Sequence, residues 1–207
     1  VVTGGSGELG RVICRRLAEA GADVAVHYHG GADRAEEVRG EIEAMGRRSI
    51  AVRADVGDRD SVFAMRDAIA EQLGSPDIIV NNAVTQCYPW QHVLDEDLES
   101  YESQYRSCVL HNVLMAKAFV PAMIEKGWGR VIATNTECTM QMVPTQSAYT
   151  SGKRGQDAVI RVLAREVGEH NITVNQVAPG WMISDKYRGG GERAPEYENK
   201  LPLRHRG

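Results

Sequence analysis

The stretch VVTGGSGELG, residues 1–10, decides the fold. Two valines and a threonine have the pattern of a strand end, three glycines follow within four residues, and an amphipathic stretch from Arg11 to Ala20 then reads as a helix. A strand that runs through a glycine-rich turn into a helix is where an open parallel sheet holds a dinucleotide pyrophosphate. Its glycines let the backbone approach the phosphate oxygens, and the helix N-terminus favours negative charge. Outward from this turn, strand-length apolar runs alternate with helical stretches: VAVHY, then 32–45, SIAVRADV, then 61–72, DIIVNNA, a long helical stretch over 96–126, RVIAT, a helix over 148–169, and ITVNQVAPG. The short strands are apolar at consecutive positions, as expected when helices cover both faces. The expected architecture is a doubly wound, parallel α/β sheet in one domain over 1–207.

The composition agrees with one globular domain: 207 residues, 43% hydrophobic and 25% charged. A net charge of -4 with scattered basic residues argues against nucleic acid and against an anionic membrane surface. Cys14, Cys87, Cys108 and Cys138 have no C-x-x-C spacing and read as reduced thiols, and the six histidines show no paired ligand spacing, so no metal site is expected. No apolar run reads as a membrane span and no leader is recognisable, so a cytoplasmic protein is expected. The run YRGGGERAPEYENK, residues 187–200, reads as a lid or a connecting loop.

A second stretch, AYTSGKRG at 148–155, places Tyr149 and Lys153 four residues apart. On a helix they share one face. At about 4 Å and an effective dielectric near 20, an ammonium attracts a phenolate by roughly 4 kcal/mol, or about three pKa units, enough to draw the phenol toward neutrality.

Taken together and in order, TGGSGELG, ADV at 54–56, NNA at 81–83, YTSGK and VNQVAPG resemble the short-chain dehydrogenase/reductase family over nearly the whole chain, and in particular its 3-oxoacyl-(acyl carrier protein) reductase-like members. The resemblance implies a Rossmann-like fold lacking the family's first few and last residues. It also implies an NAD(P)(H)-dependent oxidoreductase that interconverts a ketone or aldehyde and an alcohol by hydride transfer. Tyr149 would be the proton donor, Lys153 would lower its pKa and hold the nicotinamide ribose, and Thr136 would stand in for the family's serine as the hydroxyl on the substrate oxygen. Gly4, Ser6, Leu9 and Gly10 would shape the phosphate turn. Asp55 and Val56 would face the adenine, Asn81 and Ala83 would border the ribose, and Pro179, Gly180 and Ser184 would meet the nicotinamide.

Three positions depart from the family pattern. Glu8 replaces a glycine of the phosphate turn and must face outward to leave room for a pyrophosphate. Cys108 replaces the helix asparagine that holds a relay water, with His111 and Asn112 one turn on. Val84 replaces the glycine after NNA. At the end of the second strand Tyr28 stands where an acid would select NAD, followed by His29 and Arg34, so NADP(H) is favoured over NAD(H). The substrate is read as an acyl thioester of the 3-oxoacyl type or a small-molecule carbonyl of the sugar or steroid type, with Cys87, Trp90, His92 and the 185–200 segment as pocket candidates. Pteridine reduction and a catalytically weak dinucleotide-binding member are the alternatives. By resemblance, the long helix and the Tyr149 helix would pair with copies of themselves in a homodimer or homotetramer.

Overall fold

The computed structural model describes residues 1–85, 88–183 and 195–205. Its strands are β1 (Val24–Tyr28), β2 (Ser49–Arg53), β3 (Ile78–Asn81), β4 (Gly129–Thr134) and β5 (Ile172–Val177). Strand β1 pairs with β2, and β3, β4 and β5 pair in that order, all parallel. The opening residues join the two halves, because Val2 bridges Val26 on one side and Val80 on the other. The sheet is therefore ordered β2, β1, residues 1–3, β3, β4, β5. From the opening segment the chain winds first to one side and then back to the other. That reversal opens a crevice beyond the carboxyl ends of the opening segment and β3, the place where such sheets bind ligands.

Helices α1 (Glu8–Glu19) and α2 (Ala32–Ala44) cover one face, and α3 (Arg59–Leu73), α5 (His111–Lys126) and α7 (Ser147–Val167) cover the other. Alternation along the strands feeds both cores. Val24 and Val26 pack with Cys14, Val38 and Ile42, whereas Ala25 and Ile79 pack with Met65, Phe119, Met123 and Ile160. Asp58 caps α3 by accepting the Ser61 N–H at 2.7 Å, and Asp97 does the same for α4 (Leu98–Gln104) through Ser100 at 2.6 Å. Gly127, with φ of +71°, ends α5 in the left-handed conformation.

The long helix predicted over 96–126 is a continuous run, Leu98–Lys126, interrupted by one π-helical turn at Tyr105–Leu110. An 18-residue window of it has a mean hydropathy of 1.5, long and apolar enough to cross a membrane, which the sequence reading missed. Its hydropathy is accounted for by core packing of Met115, Ala118, Phe119, Val120 and Met123. Two short helices were not expected: α6 (Cys138–Gln141), and α8 (Pro195–Glu198), inside the segment read as a lid or loop. Cys14 and Cys108 are buried free thiols and Cys138 is a half-buried one, while Cys87 lies outside the described residues.

Candidate active site

The glycine turn is held by contacts that tolerate no side chain. A Cβ on Gly10 would lie 2.0 Å from the Gly4 carbonyl oxygen, and Gly4 itself has φ of +64°. Behind the turn stands His27, which sequence reasoning had not singled out as a site residue. Its Nδ1 accepts the Gly4 N–H at 2.9 Å, and Nε2 meets the Ala54 carbonyl at 3.1 Å, which fixes the tautomer with the proton on Nε2. The Gly5 N–H also donates to the His27 carbonyl, at 2.8 Å. Burial lowers the His27 pKa from 6.5 to about 4, so the ring is neutral at pH 7. Glu8, exposed in the first turn of α1, was expected to face outward but lines the cleft, where it is paired with Arg11 at 2.9 Å.

The ends of β3, β4 and the opening segment are tied together. Thr3 Oγ1 accepts the N–H groups of Asn82 and Ala83 at 2.8 and 3.1 Å. The Asn82 amide donates to the Thr3 carbonyl at 3.1 Å and accepts from Thr134 Oγ1 at 3.4 Å. Helix α7 then presents Tyr149 and Lys153. Lys153 is 2% exposed, and its ammonium donates to the Thr134 carbonyl at 2.6 Å and to Gln156 Oε1 at 3.1 Å. Burial lowers its pKa. Gln156 in turn donates to the same Thr134 carbonyl at 3.2 Å, so a buried amide holds the lysine in register with the strand end.

These elements enclose a cleft of about 780 Å³. Among the predicted residues it is lined by Gly4, Ser6, Leu9, Gly10, His29, Asp55, Val56 and Ala83 at one end and by Tyr149, Lys153, Pro179 and Gly180 at the other. Three predicted residues do not line it. Tyr28 is half-buried at the end of β1 and packs against the core. Asn81 is buried and donates to Asn112 Oδ1 at 2.8 Å, while Asn82 takes its place at the cleft wall. This exchange follows from alternation, since neighbouring strand residues face opposite ways. Thr136 is buried between lining residues, its Oγ1 accepting the Cys138 N–H at 3.3 Å. Ser184 lies outside the described residues.

A second cavity, of about 1200 Å³, adjoins the first. Val84, Thr85, Tyr149 and Trp181 line both, so the Tyr149 phenol stands at their junction and Val84 is accommodated as part of the shared wall. Of the pocket candidates, Trp90 lines this cavity and stacks on Tyr149, with ring centroids 6.3 Å apart and planes at 17°. His92 is exposed and lines neither cavity.

Cys108 falls in the π-helical turn. Its Sγ reaches Gln104 Oε1 at 3.8 Å, and burial raises its pKa. The Cys108 carbonyl accepts the Asn112 side-chain amide at 2.6 Å. Asn112 therefore links the turn to Asn81, away from the cleft. His111 is also buried, with Nδ1 at 3.1 Å from the Ser107 carbonyl, and burial takes its pKa to about 3. Among the described residues, no three His, Cys, Asp or Glu side chains are grouped to hold a metal.

A model of the short chain dehydrogenase family matches residues 1–189, and the chain belongs to that family. It is 35% identical over 194 residues to the 3-oxoacyl-[acyl-carrier-protein] reductase of Staphylococcus aureus, spanning 89% of this chain and 74% of that relative. It is 32% identical over 188 residues to versicolorin reductase of Emericella nidulans, spanning 90% and 70%. Its fold superposes on a short chain dehydrogenase from Burkholderia cenocepacia, solved in complex with NADP, with a TM-score of 0.88 and 31% identity over all of this chain and 83% of that one. The chain is an NAD(P)-dependent oxidoreductase that interconverts carbonyl compounds and alcohols by hydride transfer.

Proposed function

We propose that the protein is an NADP(H)-dependent carbonyl reductase in which Tyr149, Lys153 and Thr136 carry the proton chemistry. The observation that carries this reading is the position of Tyr149, shared by a glycine-lined cleft and a largely apolar cavity. The cleft suits a dinucleotide. Gly4 and Gly10 leave a cradle that side chains would fill, the N-terminus of α1 opens onto it, and the charge of Glu8 on the cleft wall is paired with Arg11. When bound, the nicotinamide supplies the hydride.

Everything else is work for this chain's own residues. Asn82 and Thr3 fix the cleft wall beside the sugar, and Pro179 and Gly180 form its far end. Tyr149 gives its phenolic proton to the carbonyl oxygen as charge develops there, and Lys153, held by Gln156 and Thr134, stabilises the phenolate left behind. The Thr136 hydroxyl donates a second hydrogen bond to the same oxygen. Cys108 is set back from the cleft, and the Lys153 ammonium is positioned by the Thr134 carbonyl and Gln156 Oε1, which accept its hydrogen bonds.

The preference for NADP(H) is supported by the adenine end of the cleft. No carboxylate occurs between residues 27 and 31, His29 lines the cleft, and Arg53 donates to the His29 carbonyl at 3.2 Å, which adds positive charge at that rim. The curated relatives make a 3-oxoacyl thioester the first substrate to assay. The reading extends to a cytoplasmic homodimer or homotetramer built on α5 and α7, where Val162 of α7 is 55% exposed. The test is titration with NADPH and NADH, followed by nicotinamide fluorescence, and then a panel of carbonyls. Tighter binding of NADPH and its oxidation by a carbonyl are expected. Tighter NADH binding overturns the cofactor preference, and saturable binding without oxidation by any carbonyl overturns the catalytic roles.

A further inference from the structure

Resting on the carbonyl-reductase reading, we infer that the substrate is a flat, fused-ring ketone bearing hydroxyl groups. The inference comes from the walls of the larger cavity. Of the chain's three tryptophans and seven tyrosines, two of each line it: Trp90, Trp181, Tyr149 and Tyr197. Sheet order places them on two sides. Strand β4 lies between β3 and β5, so the loops after β3 and β5, carrying Trp90 and Trp181, flank the loop after β4 that carries Thr136.

On one side Trp90 lies nearly parallel to Tyr149, so a ring plane is presented next to the phenol that meets the carbonyl. On the other, Trp181 meets Tyr197 edge to face, with centroids 5.6 Å apart and planes at 60°. Trp90 is 43% exposed and Trp181 47%, so each keeps ring surface open to a ligand. This second wall is pinned in place. The Tyr197 hydroxyl donates to the Glu137 carboxylate and accepts the Trp181 backbone N–H at 3.0 Å. Flat rings gain offset-stacked and edge-on contacts that a linear acyl chain does not.

Glu137 adds a hydrogen-bond acceptor. It directly follows Thr136 and lines the cavity, so a carboxylate stands one residue from the hydroxyl that receives the carbonyl oxygen. Glu196 and Lys200 line the cavity as well, so the walls impose no single sign of charge, and the Glu137 carboxylate, one oxygen of which accepts the Tyr197 hydroxyl, keeps its second oxygen to accept a hydrogen bond from a substrate hydroxyl. In the reaction the ketone gains a hydride from NADPH at carbon and a proton through Tyr149 at oxygen, leaving a secondary alcohol and NADP⁺.

The test compares kcat/KM for NADPH oxidation with 6-hydroxy-1-tetralone, 1-tetralone and the linear N-acetylcysteamine thioester of acetoacetate. Wild type, Trp90→Leu, Trp181→Leu and Glu137→Gln are compared, with calorimetric binding of the hydroxytetralone to the NADP⁺-loaded protein alongside. The expected result is a preference of at least about tenfold for the hydroxytetralone over the thioester. Each tryptophan variant should lower that ratio by about three- to tenfold, and Glu137→Gln, whose amide oxygen is a weaker acceptor than the carboxylate, should lower the preference for the hydroxylated over the plain ring by a similar factor. A wild type that prefers the thioester, with a ratio unmoved in the tryptophan variants, overturns the ring inference and leaves carbonyl reduction standing. Hydroxytetralone that binds but is never reduced, with the thioester also inert, upholds the ring site and overturns the reductase reading.

Discussion

Acidification should loosen the dinucleotide turn before it disrupts the rest of the fold, because the turn hangs on a neutral histidine. His27 accepts the Gly4 N–H through Nδ1, and burial lowers its pKa from 6.5 to about 4. A base whose folded pKa is depressed contributes stability that is full above its unfolded value and is lost as pH falls from about 6.5 toward 4. A depression of this size amounts to about 3 kcal/mol in all, of which about 2 kcal/mol is lost between pH 7 and pH 5. His111, with its pKa taken to about 3 by burial, adds a loss of the same sign, so one chain's melt does not isolate His27. The comparison is urea unfolding of wild type and His27→Gln at pH 7, 6 and 5. His27→Gln should be less stable at pH 7 by about 1–3 kcal/mol, the cost of a buried backbone group left unpaired. It should also show a pH dependence shallower than wild type by about 2 kcal/mol. NADPH affinity of wild type should fall over the same interval. Parallel stability curves for the two proteins from pH 7 to 5 would refute the tether.

Three further outcomes follow from the site. Gly10→Ala puts a Cβ where the Gly4 carbonyl lies, so the turn must shift. NADPH affinity measured by fluorescence should fall at least about tenfold, with a stability loss of about 1–3 kcal/mol by thermal melting. Gln156→Leu removes the amide between Lys153 and Thr134. Stability should drop by about 1–3 kcal/mol in urea, and the alkaline limb of the kcat profile should move to lower pH, since the ammonium loses an acceptor. His29→Asp places a carboxylate at the adenine rim, and the NADPH-to-NADH affinity ratio should fall about fivefold or more, the effect of roughly 1 kcal/mol of repulsion.

The alternation of strands and helices was legible because the buried parallel strands are continuously apolar and the helices amphipathic, and the glycine turn was legible because its geometry demands glycine at 4 and 10. Tyr149 and Lys153 were legible from helical spacing alone. What sequence could not supply was the facing of individual residues at strand ends, so Asn81 was expected at the cleft where Asn82 stands. His27 and Gln156 were missed for a related reason. A buried histidine or glutamine is recognised by its partners, and the decisive ones come from the turn before α1 and from the end of β4, 23 and 22 residues away in the chain. The hydropathy of Leu98–Lys126 was underestimated because its apolar residues are interspersed with polar ones and become one buried face only once the helix is formed. The substrate cavity draws on Trp90, Glu137, Trp181 and Tyr197, whose only shared signal in the sequence is that each lies after a strand.

The most direct measurement is a single-turnover comparison of wild type and Tyr149→Phe, both loaded with NADPH and mixed with the preferred ketone. The phenol stands between the two cavities, so its loss should slow NADPH oxidation by about 10²–10⁴-fold while the fluorescence-measured NADPH affinity stays within about twofold. Oxidation at the wild-type rate by Tyr149→Phe, with NADPH bound equally well, would contradict the assignment of Tyr149 as the proton donor.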